Sequence, residues 1–595
     1  MLALPVSREF SRRVAIVLIT FLGWAPLMWL SSWPSGRLSR FGILTALLVG
    51  TLVAWVTRGP VRERAARLVP RFRGVDAVAV SGVGVIVAYL WPLLQSRSAV
   101  DAFSVVQRGW DHVSHFDMVR MILGEGQLIP LAPMSDTGAW ANDSYPQGMH
   151  STVAMVFELT RWGGRLGGIE DLAAYLQATT LTYAASLTAV VCSLCAVPEL
   201  RRRPGRAALA VSALLLAWTL SPGGGILHQS GFDNFVMATA GVACLLLLLT
   251  GCPRIIVSGP TVAASGALMA VAHNWMLLLP MAGAAVLAAW WPLRRRRFPS
   301  GRSGQAGLGV LVTATAIGVL AGVVQVLSAR GTGQLLLDGG FPTHNLAGYV
   351  APIVAGLMGA LLLRGRGRWA RGAAVIVAGL ATFAWVASAQ MVATGHVGYY
   401  GIKLLTAVML VALTTLVHLA AKAPALQIRG SWPAQRTVGA LLVGALLVTS
   451  LLPLARQGGA FPSVRVRTEW VAPADAVGVA HTTMLERMLA VPIGNDVAFF
   501  LSSRGQDPAI VAQLNLWQLG IRGAWSQRAE ACFRAAWDQT GTEGPDRRED
   551  LVAMARLLTG CGDAVVVVVP QEKVVHIREA LPDVAQRIVG WAAAG

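Results

Sequence analysis

The sequence predicts an α-helical polytopic membrane protein that carries a C-terminal α/β domain outside the membrane. Its 595 residues are 55% hydrophobic and only 13% charged, whereas soluble domains carry about 25% charged residues. The mean hydropathy of +0.58 reflects the same excess of apolar residues. These values exclude a water-soluble enzyme, a disordered chain and a fibrous protein, and they predict one large membrane body with a smaller polar segment.

Thirteen apolar runs are long enough to cross a bilayer, because a spanning helix needs about 20 mostly apolar residues. The run over 255–291 is the hardest to divide, and we divide it at His273-Asn274. The membrane module therefore covers 1–454 and the polar tail covers 455–595. The predicted spans are 14–31, 41–57, 75–95, 172–197, 207–222, 234–250, 255–272, 275–291, 306–328, 346–363, 372–390, 403–421 and 436–454.

The distribution of the basic residues indicates membrane topology and not nucleic-acid binding. The net charge of +19 comes mostly from Arg in short blocks between apolar runs, such as 201–203 and 294–297. With a cytoplasmic N-terminus, the inside segments hold 26 of the 49 Lys and Arg residues and only three acids, which are Glu9, Glu63 and Glu199. The positive-inside rule then predicts that the N-terminus lies inside and the C-terminus outside.

The tail alternates short apolar runs with segments of helical spacing, which predicts a small α/β domain. The predicted strands are 497–501 and 564–569, and the predicted helices are 508–520, 528–539, 548–559 and 572–591. Of the six cysteines, only Cys532 and Cys561 lie in this outside tail. Two cysteines in one oxidising compartment predict a disulfide.

The first outside loop, 96–171, holds the densest polar cluster of the membrane module. Its centre contains Asp101, Asp111, His112, His115, Asp117, Tyr145 and His150. Residues 112–124 have helical spacing and end at a Gly-rich turn, and a second helix is expected near Met149. We expect the apolar side chains of the first helix to lie along the bilayer interface; they are Phe116, Met118, Val119, Ile122 and Leu123.

This loop resembles the first outside loop of the polytopic type-C (GT-C) glycosyltransferases. The resemblance lies in an early acid, Asp111, an interfacial helix that ends near Gly124 or Gly126, and a Tyr145-Pro146 segment before the next helix. Among family members, the actinobacterial cell-envelope arabinofuranosyl- and mannosyltransferases are the most similar in size and composition. The resemblance implies a multi-span core, an outward-facing active site and an extracytoplasmic C-terminal domain.

A glycosyltransferase on the outer face has no nucleotide sugars to draw on, so its donor would be a sugar on a polyprenyl phosphate. The acceptor would be a glycan or glycolipid of the cell envelope. The acceptor hydroxyl needs a general base, and Asp111 is our candidate for an inverting reaction, with Asp117 and Asp101 in reserve. The competing interpretation of Asp111 is an interfacial helix cap.

The leaving phosphate needs cationic or N–H donors. The short outside loops offer Arg330, His344, His396, Tyr399, Tyr400 and Lys403. Lys403 is the only Lys in the short outside loops or at the outer ends of the predicted spans, so it could bind the lipid phosphate as a point charge or simply snorkel to lipid headgroups. His228 and Asp233, with His112, His115, Tyr145 and His150, are expected to line the same cavity.

No cofactor is required by this chemistry. The spacing of Asp111, His112 and His115 would let a helix turn them toward a divalent metal, although hydrogen-bonded histidines explain the pattern more simply. The alternatives to a transferase are a lipid-linked saccharide transporter or flippase and an envelope polysaccharide polymerase or ligase. The near absence of ionisable residues inside the spans disfavours ion-coupled transport.

Overall fold

The structure is a computed structural model. It describes residues 6–30, 42–43, 69–107, 109–132, 142, 145–160, 167–220, 227–249, 257–290, 301–327, 346–362, 370–422, 476–491, 498–500, 508–522, 548–563 and 565–591. Most of these residues are helical. The predicted span at 436–454, the predicted helix at 528–539 and nearly all of the predicted span at 41–57 lie outside the described residues.

The membrane module is built from helices, which we number in chain order. They are α1 (Phe10–Trp24), α2 (Gly74–Leu94), α3 (Ala99–Val106), α4 (Trp110–Glu125), α5 (Gly148–Thr160), α6 (Asp171–Cys195), α7 (Pro204–Leu220), α8 (Asp233–Leu248), α9 (Gly259–Asn274), α10 (Leu279–Trp290), α11 (Arg302–Leu327), α12 (Leu346–Leu362), α13 (Ala370–Thr394) and α14 (Tyr399–Lys422).

Within the described residues, each predicted span other than 41–57 and 436–454 coincides with a helix. The division at His273-Asn274 is also found, because α9 ends at Asn274 and a short 3-10 turn, Met276–Leu278, separates it from α10. Trp275 has φ −154° and ψ 82°, which breaks the helical path between the two segments.

Six of the described helices are long and apolar enough to cross a membrane. They run over Phe10–Trp29, Gly74–Leu94, Asp171–Cys195, Gly304–Gln325, Arg371–Thr394 and Tyr399–Leu419. The chain is therefore a helical membrane protein by length and composition, while the count of thirteen spans and the orientation stay predictions.

The six helices differ in how much of their surface the protein covers. The apolar windows of α6 and α14 are 89% and 94% buried, whereas that of α11 is only 11% buried. Exposed side chains on α11 include Val310, Ile317 and Leu320, which is the apolar surface that lipid would cover. Helix α14, which carries Lys403, is thus central in the bundle.

Close contacts between helix backbones hold the bundle together. At the crossing of α1 and α9, a Cβ on Gly23 would collide with the backbone oxygen of Gly266, and a Cβ on Gly266 would lie 2.6 Å from Cα of Thr20. Only glycine permits this approach, and small residues at such crossings are what lets membrane helices pack by van der Waals contact.

The tail contains helices α15 (Ala476–Ala490), α16 (Pro508–Arg522), α17 (Arg548–Gly560) and α18 (Gln571–Ala580). Its strands are β1 (Ala498–Phe500), β2 (Val566–Pro570) and β3 (Ile588–Trp591). They form a parallel sheet in the order β1-β2-β3, with Phe499 opposite Val567 and Val568 opposite Val589. The predicted α/β character of the tail is present in this sheet and its flanking helices.

One tail prediction is wrong and one helix has no counterpart among the predictions. The predicted helix at 572–591 ends at Ala580, because Pro582 disfavours helical backbone at Leu581, and residues Ile588–Trp591 continue as β3. Helix α15 is not predicted from the sequence, because its mixed sequence has no strong apolar stripe. Helix α15 packs on α3, and α16 packs on α4, so the tail and the first outside loop lie on the same face of the bundle.

The expectation that α4 lies along the bilayer interface is wrong. Phe116, Met118, Val119, Ile122 and Leu123 are all buried within the protein. Helix α4 is covered by α16 and by α5, so its apolar residues contribute to the protein core. Its predicted end is correct, because Gly126 caps it with φ 68°, a left-handed conformation that glycine adopts freely.

Candidate active site at the start of helix α4

Three helices begin at one place on the face that carries the tail. Asp111 lies in the first turn of α4, Asp233 is the first residue of α8, and Tyr399 is the first residue of α14. The turn 227–232 leads into α8 and lies against the start of α4. Helix N-termini present unpaired backbone N–H groups and positive partial charge, so their convergence favours bound anions and ionised carboxylates.

Glycines allow the turn 227–232 to lie against the start of α4. A Cβ on Gly109 would come 2.5 Å from the carbonyl oxygen of Gln229, and a Cβ on Gly231 would come 2.8 Å from the amide nitrogen of His112. Gly231 also has φ +82°, which an L side chain rarely adopts. Two glycines therefore set the distance between this turn and Asp111.

Asp111 is held by two residues of α14. The hydroxyl of Tyr399 donates a hydrogen bond to Oδ2 of Asp111 over 2.9 Å, and Nζ of Lys403 lies 3.7 Å from the same oxygen. Lys403 also donates to the Tyr399 hydroxyl. The side chain of Asp111 is 29% exposed, whereas that of Lys403 is only 2% exposed. Asp111 thus has solvent access on one side and a buried cation on the other.

Aromatic rings enclose the ammonium group of Lys403. Its Nζ lies 3.8 Å from the centroid of the Phe232 ring and 4.0 Å from that of Tyr399. Cation–π contacts of this kind partly replace the water that the ammonium loses on burial. The snorkelling interpretation of Lys403 is therefore wrong, because the side chain is directed inward to Asp111. We call Asp111, Phe232, Tyr399 and Lys403 the Asp111 cluster.

A second polar network fixes the turn behind the Asp111 cluster. Nδ1 of His228 donates to Oδ1 of Asp233 over 2.6 Å, and its Nε2 lies 3.0 Å from Oγ1 of Thr180. Nε2 of His112 donates to the carbonyl of His228 over 2.8 Å. Because His112 directly follows Asp111, this network ties the first turn of α4 to the start of α8.

The remaining histidines of the first loop form a buried pair. Nε2 of His150 and Nδ1 of His115 are 2.7 Å apart, so one ring donates to the other. The Tyr145 ring lies 5.7 Å from each of them. Its hydroxyl accepts a hydrogen bond from Asn234 over 2.9 Å, and its carbonyl accepts one from Gln325. Tyr145 therefore connects the first loop to α8 and α11.

Burial keeps these histidines neutral. It lowers the pKa of His112 to about 4 and that of His115 to about 3, and the charge of Lys403 contributes to the lowered pKa of His115. Burial also lowers the pKa of His150 and raises the pKa of Tyr145 well above its usual value. Within the Asp111 cluster, the positive charge beside Asp111 is therefore supplied by Lys403 and not by these histidines.

The predicted metal ligands do not form a coordination site. Both ring nitrogens of His112 are engaged, with the His228 carbonyl and with the Tyr175 hydroxyl 3.2 Å away, while His115 pairs with His150. Across the described ranges, no three His, Cys, Asp or Glu side chains are grouped to hold a metal ion. The set Asp111, His112 and His115 is therefore not assembled in this structure.

The two reserve acids serve other contacts. Asp101 accepts hydrogen bonds from the backbone of Arg97 and Ser98 and forms a capping box at the start of α3. Asp117 is fully buried against Gly520 of α16. Asp117 is buried and the carboxylate of Asp101 caps α3, whereas Asp111 is partly exposed beside Lys403, so we retain Asp111 as the candidate base within this loop.

The candidate phosphate-binding residues lie in different parts of the structure. Tyr399 and Lys403 belong to the Asp111 cluster, and Tyr400 stacks on Trp275 with ring centroids 6.4 Å apart. His396 lies on the exposed turn before α14 and hydrogen-bonds the carbonyl of Thr394. Arg330 and His344 lie outside the described residues.

Sequence reasoning missed several residues of this site. Phe232, Asn234, Thr180 and Gln325 contact the predicted residues, but single aromatic or amide side chains near apolar runs give no pattern that would single them out. Phe232-Asp233-Asn234 at the start of a predicted span was the one available signal.

Among known proteins, no family model matches the chain and no curated protein matches it significantly.

Proposed function

We propose that this protein is a membrane glycosyltransferase of the type-C class, which transfers a sugar from a polyprenyl phosphate to a cell-envelope glycan or glycolipid on the outer face. The observation that carries the proposal is the Asp111 cluster. It combines a partly exposed carboxylate with a buried cation 3.7 Å away, at a place where three helices begin. A glycosyl transfer from a lipid phosphate needs a base and an anion-stabilising group in this proximity.

In the proposed reaction, Asp111 accepts the proton of the acceptor hydroxyl. The acceptor oxygen attacks the anomeric carbon, a new C–O bond forms, and the bond between that carbon and the phosphate oxygen breaks with inversion. The polyprenyl phosphate leaves with the bonding electron pair. No oxidant, reductant or further reactant is needed.

Lys403 would act at both stages of this reaction. Before transfer, its ammonium lies 3.7 Å from the carboxylate that acts as the base. When Asp111 takes up the proton, its attraction to Lys403 falls, and negative charge grows on the departing phosphate. The ammonium would then stabilise the departing phosphate through a charge-assisted hydrogen bond.

The surroundings of the cluster fit a lipid-borne donor and a polymeric acceptor. Helix α14 starts at the cluster and is mostly apolar and buried, while helices such as α11 expose apolar side chains outward. The tail lies on the same face as the first loop. An acceptor could therefore approach from the aqueous side while the polyprenyl chain stays in the membrane.

A deletion strain of the source organism tests the proposal whichever sugar is transferred. Complementation with the wild-type chain should restore a missing envelope sugar, measured by composition and linkage analysis, and Asp111→Asn should fail to restore it. Asp101→Asn is the matched control, since an amide oxygen can still cap α3. Full restoration by Asp111→Asn, at equal protein level, would contradict the proposed role of Asp111.

The pairing of buried Lys403 with Asp111 also favours a second candidate, a lipid-linked saccharide flippase, because paired ionisable groups inside membrane proteins often belong to transport pathways. The two functions differ in where the lipid-linked sugar accumulates in the deletion strain. A transferase defect leaves it on the outer leaflet, where impermeant periodate oxidises it. Accumulation protected from periodate would instead support the flippase.

A further inference from the structure

Helix α16 of the tail is packed against α4, the helix that carries Asp111. Asp111 and Arg120 are nine positions apart on α4, which is about two and a half turns, so they lie on opposite sides of that helix. The side that bears Arg120 and Asp117 faces α16. The tail therefore contacts the back of the helix that presents the candidate base.

Arg120 joins three segments of the protein. Its Nη1 forms an ion pair with Oδ2 of Asp171 at 2.8 Å, and both side chains are buried. Its Nη2 donates to the carbonyl of Ile521 over 3.2 Å. Ile521 lies in the last turn of α16, where carbonyls lack helical partners, so a buried guanidinium satisfies this helix end. One side chain thus connects α4, the start of α6 and the end of α16.

Gly520 is the point of closest approach. A Cβ at this position would overlap Oδ1 of Asp117, which is fully buried on α4. Two further contacts extend the same interface: Nε2 of Gln513 donates to the carbonyl of Gln107 over 3.5 Å, and the rings of Phe103 and Trp517 meet edge to face at 4.5 Å. The interface combines close-packed aromatic side chains with buried polar and charged groups.

We infer that the tail is a positioning element for Asp111, acting through Arg120 and through the contact between Gly520 and α4. The inference rests on the proposed transferase function for its catalytic meaning, but its structural content does not. An acceptor-binding tail would need no hydrogen bond from a buried arginine of α4 to its own helix end. A tail that fixes α4 needs such a contact, together with a glycine where the two helices touch.

Hydrogen exchange of the full-length chain in nanodiscs tests the structural content. Gly520→Ala should raise amide exchange at least tenfold in both 508–522 and 110–125, while exchange in α14 stays unchanged. Gly560→Ala is the matched control, because a Cβ at that position of the tail meets nothing within 4 Å. Exchange that rises in 508–522 alone, with 110–125 still protected, would overturn the inference.

Turnover tests the catalytic meaning separately. Each variant is assayed for release of mannose or arabinose from the corresponding farnesyl phosphate sugars to water, the smallest acceptor, and rates are normalised to bound undecaprenyl phosphate. Gly520→Ala should lower the normalised rate at least tenfold, and Arg120→Lys, which keeps the charge beside Asp171, should lower it less. An unchanged rate in Gly520→Ala would restrict the tail to acceptor binding and overturn the positioning role.

A wild-type chain that releases neither sugar would count against the proposed function. The exchange experiment would still decide whether α16 fixes α4, so failure of one proposal is distinguishable from failure of the other.

Discussion

Nζ of Lys403 lies 3.7 Å from Oδ2 of Asp111, which links the N-terminal parts of α14 and α4 by a pair of opposite charges. The two charges have unequal surroundings, since Lys403 is buried and Asp111 retains access to solvent. The loss of folding stability therefore depends on which partner is removed. A buried ammonium without its partner destabilises the protein more than a partly exposed carboxylate without its partner.

This asymmetry predicts the stability of three variants. Asp111→Asn should destabilise the protein by about 3 kcal/mol, because it leaves the charge of Lys403 buried and uncompensated. Lys403→Met should cost less, since Met fills the same apolar space between Phe232 and Tyr399. The double variant should regain most of the loss while staying inactive in sugar transfer. Thermal unfolding in detergent measures the effect, and a double variant that is less stable than Asp111→Asn would refute the pairing.

Donor binding should depend on Lys403. Lys403→Met should weaken binding of undecaprenyl phosphate about tenfold or more, the size of one lost charge-assisted hydrogen bond. Tyr399→Phe, which removes a neutral hydroxyl, should weaken it less. Lys573→Met, a lysine of the tail, is the matched control. Equal loss of affinity in Lys573→Met, measured by microscale thermophoresis in nanodiscs, would show nonspecific attraction and not a phosphate site.

Stability should fall as the pH falls from about 7 to about 4. Burial lowers the pKa of His112 to about 4 and of His115 to about 3, whereas both titrate at about pH 6.5 in the unfolded chain. Between these values the unfolded chain binds more protons, so the free energy of unfolding decreases with falling pH. His115→Gln should make the melting temperature less dependent on pH over this range. An unaltered dependence in that variant would mean that His115 is not held neutral.

Much of the helical layout could be predicted because spans follow from runs of apolar residues, which need no tertiary information. The end of α4 at Gly126 and the break after Asn274 follow from local chemistry in the same way. The strand β3 could not be predicted, because Ile588 to Trp591 fit a helix or a strand equally well. Pairing with β2, which is set by tertiary contact, decides between them.

The site shows the same division. Asp111 and Lys403 could each be selected from residue type and expected position, but their contact could not, because they lie on helices far apart in the sequence. Gly231 gave no signal of its own, since its role exists only where the turn 227–232 meets α4. The error over the surface of α4 has a related cause: apolar periodicity shows that a face is covered, but not whether lipid or α16 covers it.

The tail should contain a disulfide between Cys561 and Cys532. Cys561 is disulfide-bonded, whereas Cys192, Cys195 and Cys244 are free and buried. Cys532 and Cys252 lie outside the described residues, and Cys252 is predicted to be cytoplasmic. Peptide mapping by mass spectrometry without reduction should find the 532–561 link and should find the other cysteines as free thiols after denaturation. A 252–561 link would contradict both the pairing and the predicted topology.

The predicted orientation can be tested at two exposed positions that are predicted to lie on opposite sides of the membrane. His396, on the turn before α14, should face outside, and Arg302, at the start of α11, should face the cytoplasm; both residues are exposed. In intact cells, an impermeant maleimide should label His396→Cys at once and Arg302→Cys only after permeabilisation. Because α16 packs on α4, the tail must share the side of the first loop, and a reporter fused after Gly595 should be active only outside. The reverse labelling pattern would place Asp111 on the cytoplasmic face, where nucleotide sugars are present, and would remove the reason for a polyprenyl-phosphate donor.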